Sequence, residues 1–149
     1  MASVGSLWSP VEVSAVVPAA RQEVFTVISD PTTYPQWLVG AQRMRSVDSR
    51  FPEPGSSFHH SVGPSEGLTI DDSSEVLDVD APNRLVLEVR VGFIRGLVEL
   101  RVLDHPQGSE VRFRERPIGV TSIATPLVRP LIHARNAKSL EQLAQRFRP

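Results

Sequence analysis

The period of the hydrophobic positions changes along this chain, and each change marks an element. Val11 to Val17 (VEVSAVV) alternates apolar and polar residues, as a half-buried strand does. Pro18 ends that strand and can open a helix. Ala20, Val24, Val27 and Ile28 then recur at helical spacing, with Glu23 in the first turn, where the helix dipole favours a carboxylate. Asp30-Pro31 starts a second helix with a carboxylate cap and a proline at the first position. This short segment carries Tyr34 and Trp37, and Pro35 limits it to about a turn or two.

From Ala41 onward the period is two, and it predicts strands at roughly 41–49, 56–63, 67–80, 84–91, 95–104 and 109–116. The links between them carry turn chemistry: Pro52-Glu53-Pro54-Gly55, Gly63 to Gly67, Ala81-Pro82-Asn83, Gly92, and His105 to Gly108. Links this short imply an antiparallel meander. Leu85, Leu87, Val89 and Val91 share one face of their strand, with Val86, Glu88 and Arg90 opposite. The next strand sets Gly96, Val98, Leu100 and Val102 against Arg95, Leu97, Glu99 and Arg101; the last sets Val111 and Phe113 against Arg112, Arg114 and Arg116. The sheet therefore has one apolar and one charged face. Arg112, Arg114 and Arg116 read as part of the solvated face, with Glu88 and Glu99 in cross-strand reach.

The stretch from Ser122 to Phe147 is the longest helical pattern and the cover for the apolar face. At about 100° per residue, Ile132, Asn136, Leu140, Leu143 and Phe147 fall on one side, with Arg129 and His133 near it. Leu127, Leu131 and Ala134 form a second apolar line on roughly the opposite side, so the first half is expected to touch two things. Arg135, Lys138, Glu141 and Gln142 are available to water. Thr125 suits an N-cap before Pro126. Pro130 lacks an N–H and clashes with the preceding turn, which predicts a short first helix and a kink there.

The length of 149 residues fits one domain, with residues 1–10 as a flexible terminal segment and 11–149 as the folded unit. A 40% hydrophobic content supports a real core. The net charge of -1 gives no general pull on nucleic acid or on an anionic membrane. With no cysteine, disulfides, thiolate metal sites and cysteine nucleophiles are excluded, which fits a reducing cytoplasm. No signal peptide and no membrane-spanning run is evident, so no membrane insertion is expected.

The run VEVSAVVPAARQEVFTVISDPTTYPQWLVG resembles the opening of the START/polyketide-cyclase superfamily (SRPBCC, the helix-grip fold), through Pro18-Ala19, Val24-Phe25, Asp30, Tyr34 and Trp37. Ala81-Pro82-Asn83-Arg84-Leu85 resembles that family's turn before its fifth strand. Arg135-Asn136 with Ser139-Leu140 and Leu143 resembles a common ending. The resemblance covers almost the whole chain from Val11 on. It implies an α+β helix-grip fold: a curved seven-stranded antiparallel sheet wrapped around a long C-terminal helix, two short helices between strands 1 and 2, and a cavity between sheet and helix. A strongly bent sheet cannot lie flush on a straight helix, and the space left over is a default ligand site.

Strand phase selects the inward residues. Phe58 and Val62 carry His60 inward; Leu68 and Val76, as core positions, carry Asp72 and Ser74; Val111 and Phe113 carry Glu115. With Trp37, Leu87, Val89, Val98 and Leu100, and with His133 and Asn136 from the helix, these form the expected cavity lining. Each polar member has a plain alternative. His60 can meet water at the sheet rim, Glu115 can pair with a helix arginine, Asn136 can satisfy backbone, and Trp37 can plug the helix against the sheet. Asp71 and Asp72 point to opposite faces and cannot form one dyad. The histidines His59, His60, His105 and His133 lack metal-ligand spacing, so no metal is expected, and no phosphate or dinucleotide fingerprint implies a cofactor.

Three functions stay open. The first is binding of a lipid-like or aromatic small molecule in the cavity. The second is a polyketide aromatase/cyclase-type enzyme, with His60 and Asp72 or Glu115 moving protons. The third is an interaction module or homodimer with a closed core, using Leu127, Leu131 and Ala134.

Overall fold

In the computed structural model of the protein, residues 9–65 and 67–149 are described. The expected flexible segment lies, but for Ser9 and Pro10, outside the described residues. The element order is β1 (Val11–Val17), α1 (Arg21–Ile28), a 3-10 turn (Pro31–Thr33), α2 (Tyr34–Trp37), β2 (Ala41–Val47), β3 (Ser57–Ser65), β4 (Leu68–Asp80), β5 (Arg84–Val91), β6 (Ile94–His105), β7 (Gly108–Pro117), a second 3-10 turn (Gly119–Ala124) and α3 (Thr125–Arg146). The seven strands form one sheet in the order β1-β7-β6-β5-β4-β3-β2, and every neighbouring pair is antiparallel. With two short helices between β1 and β2 and a long C-terminal helix, this is the helix-grip arrangement.

Most elements form for the reasons their sequences suggest. Asp30 caps the 3-10 turn, its carboxylate accepting from the Thr32 N–H at 3.1 Å. Val24, Phe25 and Ile28 of α1 are buried against the sheet. The charged outer face is solvated and cross-paired: Glu99 meets Arg84, Arg101 and Arg114, and Glu88 meets Arg90 and Arg95. A bulge at Leu77 shifts the β4–β5 register between Val76 and Asp78. It lies beyond Asp72 and Ser74, so both keep their inward phase. At the β3–β4 hairpin the chain doubles back so tightly that a Cβ on Gly63 would sit 2.0 Å from the Leu68 carbonyl oxygen. Only glycine fits there.

Three expectations are corrected. Thr125 does not cap α3; it lies inside the helix, and its hydroxyl donates to the Ser122 carbonyl at 2.7 Å. Pro130 does not divide the helix: α3 runs for 22 residues through it, and the discontinuity is upstream, where the 3-10 turn ends. Pro130 is in the second turn on the exposed side, where water can reach the carbonyl that its missing N–H would have served. Leu68 is not core. It is 69% exposed, because β4 begins beyond the reach of the covering helix.

The position of α3 explains where space remains. Its buried residues are Thr125, Asn136, Ser139, Leu140, Leu143 and Ala144, and it packs chiefly along β1. Helix α1 covers β6 and β7 near the other end of those strands. The inner face of β3 to β6 beside the first half of α3 is left without a helix over it.

Candidate functional site

A cavity of about 490 Å³ occupies that uncovered region. Its walls come from Val62, Gly63 and Pro64 of β3, Val89 and Val91 of β5, Ile94 to Gly96 of β6, Glu115 and Pro117 of β7, the Leu38 to Ala41 linker, and Val128, Ile132 and Arg135 of α3. It narrows inward to a small pocket of about 40 Å³ between Trp37, Tyr34, Phe58, Leu87, Val98, Leu100 and Phe113. Leu38, His60, Asp72, Val89 and Arg135 border both spaces. The space is thus largely apolar, with His60, Asp72 and Arg135 as the polar groups at the junction.

His60 and Asp72 face each other directly in the β3–β4 register. The His60 Nε2 is 3.1 Å from Asp72 Oδ2, and both side chains are almost fully buried, at 4% and 3% exposure. The carboxylate can only accept, so Nε2 carries the proton in this contact. His60 Nδ1 and Asp72 Oδ1 are buried with no hydrogen-bond partner among the described residues. Buried polar atoms left unpaired are uncommon because each forfeits its hydration. An aromatic column holds the imidazole from below. Phe58 stacks on it at 5.4 Å and 18°, Tyr34 meets Phe58 edge-on at 5.5 Å, and Trp37 meets Tyr34 edge-on at 5.3 Å. Tyr34 donates to the Ile28 carbonyl at 2.5 Å. Burial, then the nearby Asp30 charge, raises its phenol well above the ordinary value of 10.0. Tyr34 therefore stays a neutral, already engaged donor.

The helix side of the junction is a second polar group. Asn136 donates to Glu115 Oε1 at 2.9 Å, and the Arg135 guanidinium lies 3.7 Å from Glu115 Oε2. Arg135 Nε also donates to the Val39 carbonyl at 3.2 Å. Ser139 accepts from the Val39 N–H at 3.0 Å and donates to the Arg135 carbonyl at 2.9 Å. These bonds tie the linker that walls the cavity to α3. Among the described residues no group of three or more histidine, aspartate or glutamate side chains could hold a metal ion.

The expected lining is largely brought together. Trp37, Phe58, His60, Asp72, Leu87, Val89, Val98, Leu100, Phe113 and Glu115 all border the cavity or its inner pocket. Val76 does not. It is 1% exposed and packed within the core, one step further along β4 than the inner pocket reaches. Asn136 stands behind Glu115 rather than on the wall. His133 is a correction: it is exposed, because the wall line of α3 is Val128, Ile132 and Arg135, and His133 lies about 100° further round from Ile132. Arg129 also points elsewhere and donates to the Ser9 carbonyl. Arg135 lies outside the expected lining: it is exposed, as its charge suggested, and it also borders the cavity, on the i, i+4, i+7 line of Val128, Ile132 and Arg135.

Comparisons with known proteins agree with this architecture. The sequence profile of the family described as "Polyketide cyclase / dehydrase and lipid transport" matches residues 10–148. No curated protein matches the chain. Among solved structures, protein CV1439 from Chromobacterium violaceum superposes with a TM-score of 0.75 at 15% identity, over 95% of this chain and 99% of that one. Protein NE0264 from Nitrosomonas europaea gives 0.73 at 16% identity, over 93% of each. The di-domain ARO/CYC StfQ from the steffimycin biosynthetic pathway gives 0.71 at 14% identity, over 93% of this chain and 50% of StfQ. At these identities the structures share the fold.

Proposed function

The chain belongs to the polyketide cyclase/dehydrase and lipid transport family, and from that premise we propose that it binds one amphipathic small molecule in its cavity. The body of the ligand, lipid-like or aromatic, lies along Val62, Val89, Val91 and Ile132, and a polar group meets His60, Asp72 and Arg135. The carrying observation is the cavity itself: about 490 Å³ of mainly apolar space, with His60, Asp72 and Arg135 where it meets the inner pocket. That volume is within the range of roughly 300–1,000 Å³ usual for small-molecule sites. Apolar walls supply affinity through burial, and the few polar groups fix orientation.

Titration of the protein with environment-sensitive apolar fluorophores, fatty acids and polycyclic phenols tests this reading, with native mass spectrometry giving the stoichiometry. One internal site is expected. Val98→Trp, which fills the inner pocket, should weaken binding while the thermal unfolding transition stays cooperative. A protein that binds none of these classes, with a Val98→Trp variant that merely unfolds by overpacking, would count against the cavity.

One observation favours an enzymatic alternative of the cyclase/dehydratase kind. The buried His60–Asp72 pair borders the cavity, and a base held by a carboxylate in an apolar site is suited to moving a proton next to a carbonyl. In that case Asp72→Asn should abolish turnover of a poly-β-keto substrate while leaving binding of the apolar scaffold largely intact. Equal turnover in the Asp72→Asn variant would remove this alternative.

A further inference from the structure

The polar atoms at the inner end of the cavity are not balanced between donors and acceptors. The His60 Nε2–H is engaged by Asp72 Oδ2 at 3.1 Å, which leaves the second ring nitrogen with a lone pair and no proton. That atom, Nδ1, and the second carboxylate oxygen, Asp72 Oδ1, are buried without a partner among the described residues. Both can only accept. Asn136 Oδ1, behind Glu115, is a further buried acceptor without a partner. The donors nearby are already engaged. The Tyr34 hydroxyl donates to the Ile28 carbonyl, and the Trp37 indole N–H donates to Thr33 Oγ1 at 3.1 Å. Arg135 Nε donates to the Val39 carbonyl, its guanidinium faces Glu115, and the residue is otherwise open to water. Ser74 also borders the inner pocket; its hydroxyl can give or take and so does not set the sign.

Charge points the same way. Two carboxylates, Asp72 and Glu115, and one guanidinium, Arg135, stand around the inner end. An anionic head placed there would lie beside Asp72 with no free cation, and burying an unpaired charge is costly. The other cation on the cavity wall, Arg95, does not border the inner pocket and donates to Glu88 at 3.1 Å. An ether oxygen brings no charge but sets lone pairs against lone pairs. An ammonium would donate, but it would give up its hydration for a carboxylate that His60 already shares. A hydroxyl donates, carries no charge and is small enough for an inner pocket of about 40 Å³.

We propose that the site selects apolar ligands bearing an uncharged hydroxyl (an alcohol, phenol or enol), with His60 Nδ1 and Asp72 Oδ1 as the acceptors that determine this specificity. The inference names the ligand class of the cavity and rests on the ligand-binding reading above.

A matched set of naphthalenes tests it, competed near neutral pH against an apolar fluorophore held in the cavity. 2-Naphthol carries the donor, 2-methylnaphthalene matches its size, 2-methoxynaphthalene accepts without donating, and 2-naphthoate is charged. The naphthol should bind at least about tenfold tighter than each of the others, as one buried hydrogen bond to a charged or otherwise unpaired group provides. 1-Dodecanol should likewise displace the fluorophore at lower concentration than dodecanoate or dodecylammonium. In the double variant His60→Phe with Asp72→Val, the naphthol should come within about twofold of 2-methylnaphthalene, because only burial of the ring remains. A two-bond proton–nitrogen spectrum of the imidazoles, with the His60 signals identified by their absence from the double variant, should show the proton on Nε2 alone. A proton on His60 Nδ1 overturns the proposal. So does a methyl, ether, carboxylate or ammonium compound that matches its hydroxyl counterpart, or a naphthol preference that survives the double variant. Should the double variant fail to fold, the ranking in the unaltered protein decides. If the fluorophore binds and the ranking is flat, the ligand-binding reading stands and this inference falls; if nothing binds, both fall.

Discussion

At the scale of single residues, the His60–Asp72 pair is the feature with the most chemical content. Two buried groups joined at 3.1 Å leave one another costly to remove singly. Asp72→Ala strands the His60 Nε2–H in an apolar wall, and breaking such a buried pair costs on the order of 3–5 kcal/mol. The double change His60→Phe with Asp72→Val puts apolar groups on both sides and should recover more than half of that loss. Urea unfolding midpoints of the single and double variants measure the difference, and additive losses would show that the two side chains are not energetically coupled. The same double variant should still bind a purely apolar fluorophore and should lose preference for ligands with a polar head. The inward phase of these residues was legible from Phe58, His60 and Val62 on one strand and Asp72, Ser74 and Val76 on the next. Their contact was not, because it depends on the β3–β4 register, and a slip of one residue would have sent His60 opposite Asp71 or Ser73.

At the scale of elements, α3 carries both the core seam and the cavity wall. Leu140 and Leu143 are fully buried, and each truncation to alanine should cost on the order of 2–5 kcal/mol from lost burial plus the cavity left behind. Chemical denaturation checks this, and a neutral result at either position would mean that the helix does not seat on the sheet as described. Pro130 belongs to the same element. Its lack of an N–H weakens a helix that nevertheless continues through it, so Pro130→Ala should raise the thermal midpoint, by an amount equivalent to about 1–3 kcal/mol. An unchanged midpoint would place the missing hydrogen bond among those that water replaces without loss. The expected division of the helix at Pro130 failed on physical grounds: proline excludes one hydrogen bond, but it does so near the helix start and on the wet side, where that bond matters least.

At the scale of the whole molecule, the paired carboxylates of the outer face contribute stability that depends on their ionisation. Burial of Glu99 opposes its ionisation, but hydrogen bonds from Arg84 and Arg101 outweigh this and hold its carboxyl below 4.5. Hydrogen bonds from Arg90 and Arg95 lower Glu88 in the same way. A carboxylate whose folded pKa is depressed contributes stability that is present above its unfolded value and lost as pH falls through the folded one. Thermal midpoints should therefore hold from neutral pH down to about 4.5 and fall below it. Glu99→Gln should flatten that acid loss, and an unchanged acid profile in this variant would remove Glu99 as a cause. The sequence by itself determined the element order, the antiparallel meander, the apolar face of the sheet and the buried stripe of α3, because each is written in local periodicity and turn chemistry that hold wherever the segment packs. Tertiary structure alone decided that α3 packs chiefly along β1, that of the two exposed residues Arg135 and His133 only Arg135 borders the cavity, and that four separate segments bring their apolar side chains to one end. Those outcomes depend on the azimuth of a helix over a sheet and on which turns share an end, and such relations between distant segments leave no period in the chain.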